Sequence, residues 1–148
     1  MKSFNEMMQK FVSKEVKERG EKWYEIPDFS EYRFREGIER VNRETDELLK
    51  SLGYEHDREK RYYKAVNPTD ERIALFAHQG FGLNFLSSLL DIPYPEFSVH
   101  FDMGHTGMTV IEFKDINGIV IPKVLTLAND SHLYKEGLPT NYQNVLRF

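Results

Sequence analysis

An unbroken apolar run that ends in a histidine constrains the fold of this 148-residue chain more than any other feature. Residues 73–77 read Ile-Ala-Leu-Phe-Ala, and His78, Gln79 and Gly80 follow them. Such a run is typical of a strand buried on both faces, and the glycines permit a tight turn into a helix predicted over residues 83–90. The pattern predicts an imidazole at the carboxyl end of a strand, where open α/β sheets bind ligands. Because the first N–H groups of a helix have no partner within it, this corner is also a natural site for an anion.

Composition and charge exclude several classes of protein. With 40% hydrophobic and 14% aromatic residues, the chain can build the core of one domain. A net charge of −4 without a Lys and Arg cluster argues against nucleic-acid binding. The absence of cysteine excludes disulfides and suits the cytoplasm, where we expect the protein to be. No apolar stretch approaches the roughly 20 residues of a membrane span, and the first residues lack the apolar core of a signal peptide.

Charged residues are distributed unevenly. Residues 1–72 hold 16 of the 20 basic and 17 of the 24 acidic side chains, so the second part resembles a core and the first its cover. No Lys or Arg lies between Arg72 and Lys114. An anion bound near His78 therefore needs cationic partners from elsewhere.

The spacing of apolar residues predicts two amphipathic helices in the first part of the chain. The first begins at Phe4 and ends near Gly20, and the second is capped by Ser30 and ends at Gly53. Between them, residues 23–29 form an aromatic loop broken by a proline. We interpret this loop as local packing, with a lid over a pocket as the alternative.

Turn signals organise the second part. Two prolines within residues 91–95 end the helix that follows His78. An Asn-Gly turn within residues 114–118 predicts a hairpin at the edge of the sheet, and Pro122 fits only an edge or irregular position. Strands are predicted over residues 62–66, 108–113 and 119–127.

Four segments, taken in order and spacing, resemble the second half of the histidine phosphatase superfamily, the phosphoglycerate-mutase-like proteins. Members typically have an apolar strand ending in Ser-His-Gly-Gly, then a helix ending in a Leu-Gly-Leu-Pro-like turn. A strand like Ser-Val-Thr-Val-Leu-Glu-Phe and a closing Asn-Asp-Thr-x-His-Leu follow. The matching segments are residues 73–80, 86–93, 107–113 and 127–133.

The resemblance implies an α/β fold: a three-layer αβα domain with a mostly parallel sheet and an edge hairpin. The chain would form a single, incomplete domain over residues 1–148. Residues 1–29 would be a helix and an aromatic, lid-like segment, residues 30–133 the core, and residues 134–148 a tail.

The resemblance also implies site residues. His78 matches the second catalytic histidine, which binds the transferring phosphoryl group. Gln79 and Gly80 would direct backbone N–H groups at an oxyanion. His105 and Thr106 would lie in a loop near the phosphate pocket and touch the substrate. The implied phosphohistidine mechanism uses no metal and no cofactor.

The chain departs from the family at its beginning. Members start with a strand followed by Arg-His-Gly, which supplies the nucleophilic histidine and a phosphate-binding arginine, and no Arg-His-Gly occurs here. His56 lies in a charged loop and fits neither role. Ala77 and Gln79 replace the usual Ser and Gly beside His78. We therefore expect the C-terminal portion of such an enzyme, with negligible activity alone.

Other histidines have alternative interpretations. His100, Asp102 and His105 could ligate zinc, although the strand pattern groups only the first two. His132 follows Asn-Asp-Ser, which can form a side-chain-capped turn, and we favour a structural role for it.

Two main functional classes follow. The first is a phosphatase of small phosphate monoesters, or its C-terminal half; the second is a non-catalytic binding or assembly domain, a pseudo-phosphatase. A mutase-type phosphotransferase is a weaker third alternative. Because the missing strand would leave an unpaired edge, we expect self-association or dependence on a complementary N-terminal half. We expect neither nucleic acid nor membrane as a partner.

Overall fold

Helices and turns make up the beginning of the chain in the computed structural model, which describes residues 4–139. Helix α1 spans Phe4–Phe11 and α2 spans Lys14–Arg19. The single helix expected here is broken because Ser13 adopts an extended conformation and caps α2, accepting a hydrogen bond from the Val16 N–H at 3.4 Å. As expected, Gly20 ends this helical region, with a φ of 54°.

Two 3₁₀ turns, Gly20–Glu25 and Pro27–Phe29, carry the aromatic segment. The side chains of Trp23, Ile26 and Phe29 are buried in an aromatic cluster, so this part of the segment packs as a core rather than as an open lid. Phe34 of the following helix and Tyr94 from the second part of the chain contact this cluster. The buried members of this aromatic cluster are Phe11, Val16, Trp23, Ile26 and Phe29.

Helix α3 spans Phe34–Ser51 and buries one stripe of side chains, Val41, Thr45 and Leu49. Its first residue follows Arg33, so Ser30 is not the cap that the sequence predicts. Gly53 follows the helix with a φ of +89°, and a Cβ there would lie 1.8 Å from the Asn67 carbonyl oxygen. Only glycine fits this close approach.

Within residues 4–139, five short strands form two antiparallel sheets. Strands β1 (Tyr54–Asp57), β2 (Tyr62–Ala65) and β4 (Ile119–Val120) form one sheet in the order β1-β2-β4. Strands β3 (Met108–Glu112) and β5 (Lys123–Asn129) form the other.

The predicted hairpin forms, but the single strand predicted over residues 119–127 is replaced by two strands, β4 and β5, which belong to different sheets. Asn117 and Gly118 have φ values of 56° and 81°, as the Asn-Gly turn requires. The chain is irregular at Ile121 and Pro122, so β4 before them pairs with β2 and β5 after them pairs with β3. The missing N–H of Pro122 accounts for this division.

The predicted helix after His78 is confirmed as α4 (Gln79–Leu89), and a short α5 (Tyr94–Ser98) and α6 (Ser131–Lys135) follow later. Helix α4 packs against α3 and α5. The main core consists of Leu49, Tyr54, Tyr63, Leu83, Leu86, Leu89, Phe97 and Val120.

The strand predicted over residues 73–77 does not form. Residues 66–78 are all exposed, including Phe76 at 93%. Within residues 4–139, the backbone of residues 68–77 makes no hydrogen bond to another backbone group. The structure is therefore mixed α/β with small antiparallel sheets, and the described residues do not form the expected parallel sheet or its three layers. An apolar run becomes a strand only beside a partner strand, and this part of the chain supplies none.

Among the helices of residues 4–139, none combines the length and apolar content needed to cross a membrane.

Candidate functional site

His78 lies at the first corner of α4. Its backbone is extended, with φ −78° and ψ 156°, and its carbonyl accepts the first helical hydrogen bond from the Gly82 N–H at 2.9 Å. The imidazole forms no capping hydrogen bond and is exposed. The sequence therefore places this ring correctly at a helix N-terminus, although the preceding residues are irregular. An exposed ring beside unpaired helix N–H groups can contact an anion from solvent.

Gln79 ties the start of α4 to the loop before β3. Its side-chain amide donates a hydrogen bond to Asp102 Oδ1, which also accepts one from the Met103 N–H at 2.8 Å. The same loop packs on the helix at Gly82, where a Cβ would lie 2.9 Å from Met103 Sδ. The helix start and the loop therefore form one surface, and Asp102 brings a carboxylate to it.

Gly80 lies in the first turn of α4 and is exposed. A Cβ at this position would meet no atom within 4 Å. Packing therefore does not require glycine here, which leaves room for a ligand against the helix backbone.

Thr106 lies in a tight turn with a φ of 61°. Its Oγ1 lies 3.0 Å from His132 Nε2 at the start of α6, and the neighbouring His105 is exposed. Asn129 Oδ1 accepts hydrogen bonds from the Ser131 N–H at 3.1 Å and Oγ at 2.6 Å. The predicted side-chain-capped turn is thus confirmed.

The zinc alternative is not supported. Within the described part of the chain, no three His, Asp or Glu side chains are placed to hold a metal ion, and this includes His100, Asp102 and His105.

An ionic cluster that the sequence did not predict surrounds His56. This histidine lies in β1 with its side chain 1% exposed, and its Nδ1 and Nε2 lie 2.8 Å from carboxylate oxygens of Asp46 and Asp91. Arg58 donates to both oxygens of Asp46, each at 2.8 Å, and to Ser88 Oγ at 3.0 Å. We call these five residues the His56 cluster.

Opposing effects set the protonation of the His56 cluster. Burial disfavours the charged ring, but hydrogen bonds to Asp46 and Asp91 outweigh it and raise the pKa of His56. Burial likewise disfavours the Asp46 carboxylate, yet hydrogen bonds from His56 and Arg58 lower the pKa of Asp46. The cluster therefore connects elements of the fold through ion pairs. The His56 ring is buried and is inaccessible to a substrate.

A groove of about 320 Å³ runs between α3 and α4. Leu75 of the exposed apolar run, together with Phe81 and Phe85 of α4, forms its apolar part, and Arg40 and Glu44 of α3 also line it. The run therefore passes beside these helices, with Leu75 lining the groove although it remains 51% exposed.

The chain matches no known protein-family model, and no curated protein or solved structure shows significant similarity to it.

Proposed function

We propose that the chain is the C-terminal portion of a phosphate-monoester phosphatase of the histidine phosphatase type, acting in the cytoplasm on a small phosphorylated substrate. The observation that carries this proposal is the position of His78, an exposed imidazole directly before the 11-residue helix α4. A phosphoryl group at this corner would meet the imidazole and the first N–H groups of the helix together.

The proposed roles follow from position. His78 stabilises the phosphoryl group during transfer, and backbone N–H groups at Gln79 and Gly80 contact its oxygens. His105 and Thr106 contact the rest of the substrate from the loop that Gln79 holds against the helix. The chemistry needs no metal and no cofactor.

The chain alone is expected to be inactive, for an electrostatic reason. Phosphoryl transfer requires cations around the phosphate oxygens, and residues 73–113 contain no Lys or Arg. The nearby carboxylate of Asp102 makes the requirement stronger. Since one lost donor costs roughly 3 kcal/mol in such sites, the missing nucleophile and arginines leave too little stabilisation for measurable turnover.

The partner that we propose is a complementary polypeptide segment carrying the first half of the domain. Residues 73–77 expose apolar side chains and unpaired backbone, which suits an added β-strand. This strand must bring basic residues to His78, because residues 73–113 contain no Lys or Arg and Asp102 adds a carboxylate beside Gln79. With it, the run would become a central strand of a parallel, three-layer αβα domain.

A non-catalytic binding or assembly domain is the second candidate. The exposed apolar run favours it, because such a surface binds another chain whether or not catalysis follows. A mutase-type phosphotransferase requires the same absent nucleophile and is the weakest candidate.

Phosphate titration followed by NMR of the histidine rings tests the proposal. We expect inorganic phosphate to shift the His78 ring signals, while the exposed His100 ring serves as an internal control. Unchanged His78 signals would contradict the phosphatase proposal and favour the binding domain.

Activity provides a second test. The chain should not hydrolyse p-nitrophenyl phosphate alone, but should do so when co-expressed with a polypeptide that carries the family's first half. That activity should be lost in His78→Ala. Robust hydrolysis by the chain alone, or self-association instead of complex formation, would overturn the proposed partner.

A further inference from the structure

The two ring nitrogens of His56 both face carboxylate oxygens. A neutral imidazole carries a hydrogen on only one nitrogen, so it can donate to Asp46 or to Asp91 but not to both. Because the ring is almost fully buried, water does not mediate either contact. The doubly protonated imidazolium satisfies both contacts at once, with each carboxylate accepting one hydrogen bond.

The His56 cluster joins elements that are distant in sequence. Asp46 belongs to α3, His56 to β1, and Asp91 to the turn that follows α4. Arg58, in the turn after β1, also contacts the carbonyl oxygen of Asn42 in α3 at 3.1 Å. Two carboxylates balance two cations, so loss of one proton leaves one excess negative charge in a cluster whose His56 and Asp91 side chains are buried.

Asp91 is held in an unusual conformation. Its φ is +52°, in the left-handed region that most side chains avoid and that Asp tolerates comparatively well. Its side chain is 7% exposed and contacts both His56 and Arg58. The ionic contacts and the backbone conformation therefore support each other, and α5 begins three residues later.

Other titratable groups surround the cluster. From β2, the Tyr63 ring stacks on His56 at 4.0 Å between centroids, and its hydroxyl donates to the Leu89 carbonyl at 2.9 Å. From the first 3₁₀ turn, Glu21 interacts electrostatically with Asp91 and pairs with Arg61 at 3.8 Å. Burial and the Asp91 charge raise the pKa of Glu21, and a carboxyl group carries no positive charge in either protonation state.

We propose that the His56 cluster is a proton-operated latch that fastens α3 and the turn at Asp91 onto β1 while the ring is charged. When the ring loses a proton, one carboxylate loses its donor and the turn at Asp91 loosens. The folded state therefore weakens as the pH rises.

The direction of this pH dependence follows from the linkage between proton binding and folding. The pKa of His56 is raised above the ordinary value of about 6.5, so the folded state holds a proton that the unfolded state releases. The contribution to stability is complete below that ordinary value and is lost as the pH rises through the folded-state pKa. Between these limits up to one proton separates the two states, so the folding equilibrium constant falls by at most about tenfold per pH unit.

The test measures urea unfolding of the full chain between pH 5 and 9, with an NMR titration of the His56 ring. We expect this fall in the unmodified chain, with an upward-shifted midpoint for the His56 ring and amide shifts around Asp91 that follow it. In His56→Gln the His56 contribution to the pH dependence should disappear, whereas the exposed control His100→Gln should retain it.

Asp91→Asn covers the case in which His56→Gln does not fold. Removing this carboxylate should lower the His56 midpoint and reduce the pH dependence. An unshifted or lowered midpoint in the unmodified chain, or the same pH dependence in Asp91→Asn, would overturn the latch.

Discussion

The side-chain amide of Gln79 donates a hydrogen bond to the carboxylate of Asp102 and so joins the first residue of α4 to the loop before β3. This contact positions the loop beside His78, but it also places a negative charge where the proposed ligand is an anion. The same residue pair therefore organises the candidate site and weakens its attraction for phosphate.

Asp102→Asn should strengthen phosphate binding. The amide keeps the hydrogen-bonding shape but removes the charge, and a unit charge at close range in water contributes about 1 kcal/mol, or roughly fivefold in affinity. Titration of inorganic phosphate at low salt measures the change. Glu112→Gln, an exposed position on β3, is the control, and equal affinities for both variants would contradict this electrostatic argument.

Gly53→Ala should destabilise the fold by roughly 2–4 kcal/mol, because it combines a left-handed backbone with a clash against the Asn67 carbonyl. Urea unfolding measures this loss. The matched control is Gly37→Ala within α3, where a Cβ meets no atom within 4 Å and helix propensity should add about 1 kcal/mol of stability. Similar effects in the two variants would show that the turn at Gly53 is not formed as described.

Arg58→Lys should destabilise the fold by roughly 2 kcal/mol, since lysine cannot reproduce the two parallel hydrogen bonds to Asp46. Arg43→Lys is the control, because among the described residues Arg43 pairs only with its exposed neighbour Glu44 and such pairs contribute little. The comparison uses urea unfolding at pH 6, where the His56 cluster is charged. A loss no larger than that of the control would argue against a structural role for Arg58.

Phe76→Lys should leave the stability of the chain alone within about 0.5 kcal/mol, because the side chain is 93% exposed. It should nevertheless weaken association with the complementary segment, since a buried central strand does not accommodate a charge. Sedimentation of the mixed polypeptides measures association. Tyr134→Lys, at an 89% exposed position, is the control, and unchanged association of Phe76→Lys would remove residues 73–77 from the interface.

The sequence predicts best those features that depend on neighbours in the chain. Helix α4 and the turn at Asn117 and Gly118 follow from apolar spacing and backbone preference, and both are confirmed. The strand expected over residues 73–77 depends on a pairing partner that its own sequence does not specify, and it does not form.

In the candidate site, too, the sequence predicts local features better than contacts between distant residues. The position of His78 before α4 follows from a local pattern, whereas the Gln79 contact with Asp102 joins positions 23 residues apart. His56 was missed because β1 has only four residues and its partners come from α3 and the turn after α4. The alternation of side chains within β1 is a weak signal that His56 is buried, since Tyr54 and His56 lie on the same face of the strand and Tyr54 is buried in the core.

The two irregular residues Ile121 and Pro122 connect β4 of one sheet directly to β5 of the other. Val120 is held opposite Tyr63 in one sheet, and Lys123 is held opposite Glu112 in the other. Three residue steps span at most about 11 Å, so a large displacement of β5 pulls directly on β4. Tension applied to the hairpin of β3 and β5 is therefore transmitted to Tyr63, whose ring stacks on His56.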